Sequence, residues 1–137
     1  MPMRNLDTIV IIDDDPLHNY ILKRKLEYSN RAKSVLCFET ASDFSHWLDK
    51  EKNSANMIFA NMDNFDSCPK KFIEECCKLK AKIFQHTPLF QISDNAINEA
   101  KVLNYGISEV NYYYQKPINE NNLNDIFNKF AAMTKAS

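Results

Sequence analysis

Glycine occurs once in the 137 residues, at Gly106. Phosphate-cradling loops of the GxGxxG or GxxxxGK(S/T) kind need several glycines, because a Cβ holds the backbone away from the phosphate, so nucleotide binding of that kind is excluded. No block of one charge is present either. Lys and Arg number 17 and Asp and Glu 18, a net charge of −1, which provides no basic face to grip nucleic acid. Long apolar runs are also missing: Ile9-Val10-Ile11-Ile12 stops at Asp13-Asp14-Asp15, too short for a secretion signal or a membrane span. The four cysteines, Cys37, Cys68, Cys76 and Cys77, contain no CxxC pair and no His at metal-ligand spacing, so no zinc site is expected. Cys76 and Cys77 are neighbours, about 100° apart on a helix, and are not preset to bridge. Free thiols and the absence of a targeting segment give a cytoplasmic expectation.

What the chain does have is core material, 45% hydrophobic and 12% aromatic residues. That suffices for one domain over residues 1–137, with its core in about 6–131 and a frayed tail after about 133. Thr8 to Ile12 is β-branched and continuously apolar, the pattern of a strand buried on both faces. Pro16 suits the first turn of a helix in which Leu17, Tyr20, Ile21, Leu22 and Leu26 recur at helical spacing. A second strand over Ser34 to Phe38 leads to Thr40 and Asp43, a capping pair for a helix carrying Phe44, Trp47 and Leu48, with Trp47 expected in the core. A third strand, Met57 to Ala60, closes at Asn61, and Pro69 opens a helix with Phe72, Ile73, Cys76 and Leu79. Strand four, Pro88 to Ile92, ends at Ser93-Asp94, followed by a short helix through Ile97, Ala100 and Leu103 that Gly106 terminates. Strand five, Val110 to Tyr114, ends at Gln115-Lys116-Pro117, and Asn119 caps a last helix with Leu123, Ile126, Phe127 and Phe130. Five strands alternating with five helices predict an α/β, doubly wound, five-stranded parallel sheet.

In such sheets ligands bind outside the carboxyl ends of the strands, where the strand order reverses. Those ends read Asp13-Asp14, Asn61, Ser93 and Lys116. The acidic cluster after strand one, the hydroxyl ending strand four and the Lys-Pro ending strand five resemble the receiver domain of two-component response regulators, a flavodoxin-like (βα)5 fold. The likeness spans roughly residues 6 to 131. It implies that Asp13 and Asp14 match the acids that hold Mg2+, Ser93 the phosphate-contacting hydroxyl, Tyr113 the switch aromatic and Lys116 the lysine that answers to the phosphoryl group. It also implies a cis bond before Pro117, and a position two after the acceptor, here Asp63, that offers Mg2+ its backbone carbonyl. Clustered carboxylates suit a hard cation, and an ammonium with a hydroxyl can bond phosphoryl oxygens.

The third strand departs from this pattern. Asn61 stands where the family has the phosphoaccepting aspartate, and a carboxamide cannot act as the nucleophilic carboxylate. Asp13, Asp14 and Lys116 sum to −1 in place of the −2 of a three-acid pocket, so Mg2+ binding is expected to be weakened. The reading is a stand-alone receiver-like module in phosphorelay signalling, with no enzymatic activity of its own and no phosphorylation at Asn61, acting through protein contacts. A phosphorylation-competent receiver using Asp63 with Mg2+ is the alternative.

Asp15 reads as a helix cap, and Lys116 as a lasting ion-pair partner of Asp14 or Asp13. His18, His46 and His86 share no ligand or nucleophile spacing and read as surface or structural residues. Tyr112, Tyr113 and Tyr114 suit an edge strand whose hydroxyls reach water. Tyr113 lies on the opposite face from Tyr112 and Tyr114. In the family, the surface of the fourth helix, fifth strand and fifth helix is the usual partner and dimer face. Tyr112 and Tyr114 are expected to be presented there to a signalling partner, such as a histidine kinase or a phosphotransfer protein, or to a second copy. With few residues after the last helix, no appended DNA-binding domain is expected.

Overall fold

Ile9, Val10, Ile11 and Ile12 are all buried, which requires cover on both sides of their strand. A computed structural model describes residues 6–50, 55–61, 87–93 and 110–135. Its elements are β1 (Leu6–Ile12), α1 (Pro16–Tyr28), β2 (Ala32–Phe38), α2 (Ala41–Asp49), β3 (Met57–Asn61), β4 (Leu89–Ser93), β5 (Val110–Gln115) and α3 (Glu120–Lys135). The strands form one sheet in the order β2-β1-β3-β4-β5, and every pairing is parallel. The predicted five-stranded parallel sheet is therefore present, and its order reverses between β1 and β3, placing the switch point at Asp13 and Asn61. The helices expected around Phe72 and Ile97, together with Cys68, Cys76, Cys77, His86 and Gly106, lie outside the described residues.

The side-chain period of two sends Ile9, Ile11, Met57, Phe59, Phe90 and Ile92 into one core with Leu22 and Leu26 of α1 and Leu123, Ile126 and Phe127 of α3. Full burial of a Leu or Phe contributes about 1.5–3 kcal/mol, so these two helices are held chiefly by that layer. Helix starts follow the expected chemistry. Asp15 is the N-cap of α1 and accepts from the His18 N–H at 3.1 Å, with Pro16 in the first turn. Thr40 caps α2 by accepting from Asp43 N at 3.0 Å. Asn119 and Asn122 bond each other's backbone N–H at the head of α3, at 3.1 and 2.8 Å.

Three expectations are corrected here. The inward stripe of α1 is His18, Asn19, Leu22 and Leu26, whereas Leu17, Tyr20 and Ile21 point outward. The entry through Asp15 and Pro16 sets the helix phase so that residues 18, 22 and 26 share the inner face, and 17, 21 and 24 fall opposite. Trp47 is half-buried at the margin, against Phe38 and Phe44 at ring-centre distances of 5.7 and 6.1 Å. Tyr114 is buried and not presented outward. β5 is indeed an edge strand, but α3 covers the face on which the Tyr114 ring lies.

Candidate functional site

Asp13 follows directly on β1 and is almost wholly buried. Its backbone N–H bonds Phe38 O at 3.0 Å, continuing the sheet. Oδ1 accepts from Asp15 N at 3.1 Å and from Asn61 Nδ2 at 3.2 Å. Oδ2 lies 2.7 Å from Lys116 Nζ and 3.7 Å from His18 Nδ1. The carbonyl oxygen accepts from Asn19 Nδ2 at 2.7 Å. An uncompensated carboxylate could not persist at this depth, and the cluster supplies the compensation.

The Lys116 side chain is 4% exposed and reaches Asp15 Oδ2 at 3.5 Å as well as Asp13. Its backbone N–H bonds Ser93 O at 2.7 Å at the end of β4, and the Lys116–Pro117 bond is cis. The expected lysine ion pair therefore forms with Asp13, and Asp15 joins it while capping α1. The His18 N–H donated to Asp15, reinforced by the nearby Lys116 ammonium, holds the Asp15 carboxyl below the usual carboxylate range, although partial burial opposes this.

The fold thus brings Asp13, Asn61 and Lys116 into direct contact and leaves Asp14 exposed at the rim. Ser93 is buried beside Lys116. Asp63 and the side chains of Tyr112 and Tyr113 lie outside the described residues. His18, read from the sequence as a surface or structural residue, is buried beside Asp13. Asn19 escaped the sequence reading, although a signal existed: the inner residues of the first turn of a helix that starts at Pro16 must face the strand end from which the chain emerges. Beside the cluster opens a cleft of about 240 Å3 lined by Asp15, Leu17, His18, Ile21, Lys116 and Pro117.

Mg2+ asks for oxygen ligands in near-octahedral array. Asp13 and Asp14 are suitable donors, but both Asp13 oxygens are engaged, one by an ammonium, and Asn61 offers that carboxylate an N–H. The cation would have to displace Lys116 from Oδ2 and meet a reoriented amide, so the residues fit it only in part. Among the described residues, no group of three His, Cys, Asp or Glu side chains is placed to hold a metal ion.

On the far side of β5, Tyr114 donates its hydroxyl to Asp125 Oδ2 at 2.6 Å and accepts from Lys129 Nζ at 2.9 Å. Lys129 closes the triangle with Asp125 at 2.9 Å. Burial and the Asp125 carboxylate push the Tyr114 phenol up to about 12. Bonding to Tyr114 and Lys129 lowers Asp125, and for Lys129 the two bonds outweigh the downward pull of burial, leaving it raised.

No protein-family model matches the chain, and no curated protein matches it. Solved structures do. A two-component response regulator from Cytophaga hutchinsonii superposes with a TM-score of 0.80 at 17% identity, over 94% of this chain and 99% of that one. The chain has the receiver fold. A response regulator receiver protein from Dyadobacter fermentans matches with a TM-score of 0.74 at 17% identity, over 90% of this chain and 96% of that one. The receiver domain of a histidine kinase from Arabidopsis thaliana, complexed with Mg2+ and BeF3−, matches with a TM-score of 0.71 at 12% identity, over 92% and 90% of the two chains. Against the receiver fold, the Asp13–Asn61–Lys116 cluster occupies the carboxyl ends of β1, β3 and β5. No described helix is long and apolar enough to cross a membrane.

Proposed function

We propose that this chain is a receiver-like signalling module that conveys information by protein contact and is not phosphorylated at Asn61. The observation that carries this reading is the closure of the cluster on itself: Asn61 Nδ2 donates to Asp13, and Lys116 pairs with the same carboxylate at 2.7 Å. Acyl-phosphate formation needs an anionic oxygen to attack phosphorus, which a carboxamide lacks. It is also helped by a cation able to meet the incoming phosphoryl oxygens, and here the ammonium is engaged by Asp13 and Asp15. The weakened Mg2+ site follows from the same count of charges. The partner in this reading is a signalling protein, such as a histidine kinase or a phosphotransfer protein, met in the cytoplasm, and the module itself catalyses no reaction.

Intact-mass spectrometry after incubation with acetyl phosphate and Mg2+ tests this. The expected spectrum shows the unmodified mass throughout. A stoichiometric, hydroxylamine-labile phosphoryl gain would end the proposal, and its mapping to Asp63 would establish a receiver with a relocated acceptor.

A further inference from the structure

Helix α1 carries apolar side chains outward as well as inward. Two of its four buried residues, His18 and Asn19, are polar. Outside, Leu17, Tyr20, Ile21 and Tyr28 are 68%, 60%, 41% and 72% exposed. At 100° per residue, positions 17, 20, 21, 24 and 28 fall within one arc of about 100°, a continuous stripe running the length of the helix. Arg24 sits in that stripe with its guanidinium 5.8 Å from the Tyr20 ring centre and 4.5 Å from that of Tyr28, and it donates to the Tyr28 hydroxyl. Stacking of this kind fixes the rings before any partner arrives, which lowers the ordering cost of association. A groove lined by Tyr20, Ile21, Arg24, Lys25, Tyr28, Ser29 and Glu120 flanks the stripe, and Ile21 also lines the cleft beside Lys116.

We propose that this stripe is a contact between two copies of the chain, their α1 helices packed antiparallel about a twofold axis near Ile21. The charge layout selects this occupant. The head of α1 is acidic, with Asp14 exposed and the Asp15 side chain 43% exposed. Its second half carries Lys23, Arg24 and Lys25 against the single acid Glu27. Antiparallel pairing lays head on tail, so that Arg24 lies within about one helical turn of the partner's Asp14 and Tyr28 lies opposite it. A parallel pair would set like charges together. The contact is isologous, each copy giving and receiving the same pairs.

Its size sets its strength. With about 150–250 Å2 of surface per aromatic side chain, Tyr20 and Tyr28 expose roughly 200–330 Å2, and Leu17 and Ile21 bring the apolar patch to on the order of 400 Å2 per copy. Two such patches bury less than the roughly 1,200 Å2 of a stable complex, so the dimer belongs to the weak class, with a dissociation constant of about 10 µM to 1 mM.

The experiment is sedimentation velocity on the full chain from about 5 µM to about 1 mM, spanning that range, at low and high salt. The expected result is reversible dimerisation that weakens with salt. Ile21→Glu should lower the association constant at least tenfold. Asp14→Lys should lower it by about two- to fivefold, the range of exposed ion pairs. Arg24→Glu, which also removes the stacking on Tyr20 and Tyr28, should lower it by at least as much, and their combination should associate more tightly than Arg24→Glu alone. Tyr20→Ser serves as a second apolar variant should Ile21→Glu fail to fold. A chain that stays monomeric across the range, a dimer untouched by the apolar variants, or a double charge variant no tighter than Arg24→Glu alone would each overturn the inference. Because phosphoryl transfer plays no part in this readout, a negative result leaves the reading of Asn61 standing, and an acyl phosphate at the cluster leaves the dimer standing.

Discussion

Replacing Lys116 with methionine removes the ammonium from Asp13 and keeps most of the side-chain volume. Attraction across 2.7 Å is about 6 kcal/mol at an effective dielectric constant of about 20. Desolvation of both groups offsets much of that in the intact pair. It is not recovered when one partner goes, because Asp13 stays buried with its charge. Breaking buried pairs in this way costs about 3–5 kcal/mol. Oδ1 keeps its bonds from Asp15 N and Asn61 Nδ2, and His18 lies 3.7 Å from Oδ2 and can move closer, which places the expectation at the low end, about 3 kcal/mol. Urea unfolding at pH 7, followed by circular dichroism, should show the midpoint fall with an unchanged slope. Adding Asp13→Asn should recover part of the loss, since it removes the stranded charge. A single-variant cost under about 1 kcal/mol, typical of exposed pairs, or a double variant less stable than the single one, would refute the claim that Lys116 is the structural counter-charge of Asp13.

Asn61→Asp exchanges a donor for a second carboxylate facing Asp13 Oδ1, so it should lower stability by about 1–2 kcal/mol without metal and raise Mg2+ affinity about tenfold or more, read by unfolding and by calorimetric titration. Unchanged Mg2+ affinity would show that the carboxylate count is not what limits the site. Tyr114 stays neutral up to about pH 12 in the fold and ionises near 10 when unfolded. Its contribution is therefore complete below pH 10 and is lost as the pH climbs towards 12. Two pKa units correspond to about 2.7 kcal/mol, reduced to about 1 by solvent screening at the rim, and Tyr114→Phe should abolish this alkaline slope. The Asp15 carboxyl is held below its ordinary value of 3.8, so its contribution is present above that value and fades as the pH falls through the lowered one. Asp15→Ala should cost about 1 kcal/mol at pH 7 and almost nothing in strong acid, and an equal cost at both would sink the capping account.

The sheet was legible because its signal is one-dimensional. Runs such as Ile9–Ile12 and Met57–Ala60 can be buried on both faces only in a parallel sheet between helices, and strand ends then line up by topology. For the same reason Asp13, Asn61 and Lys116 could be brought together on paper. The choice of Asp13 over Asp14 as the lysine's partner was not legible, because it depends on which aspartate side chain turns inward as the chain leaves β1. The phase of α1 is not legible for a related reason: apolar residues occur on both of its sides, so periodicity alone does not say which side meets the sheet. A tyrosine on an edge strand suits water as well as a neighbouring helix, and for Tyr114 only the positions of Asp125 and Lys129 on α3, one turn apart, decide for the helix.

The first turn of α1 is fastened to Asp13 by Asn19 and to Asp15 by His18, while the same turn presents Leu17 to solvent. Anything that shifts the Asp13 backbone carbonyl or the Asp15 carboxylate acts on that turn through these bonds. Were a cation to bind there and shift that turn, linkage would make its effect on a body seated against the outer flank reciprocal, by one and the same factor. If Asn61 takes no phosphoryl group, as proposed, this turn is the handle by which ions and neighbours would sense each other.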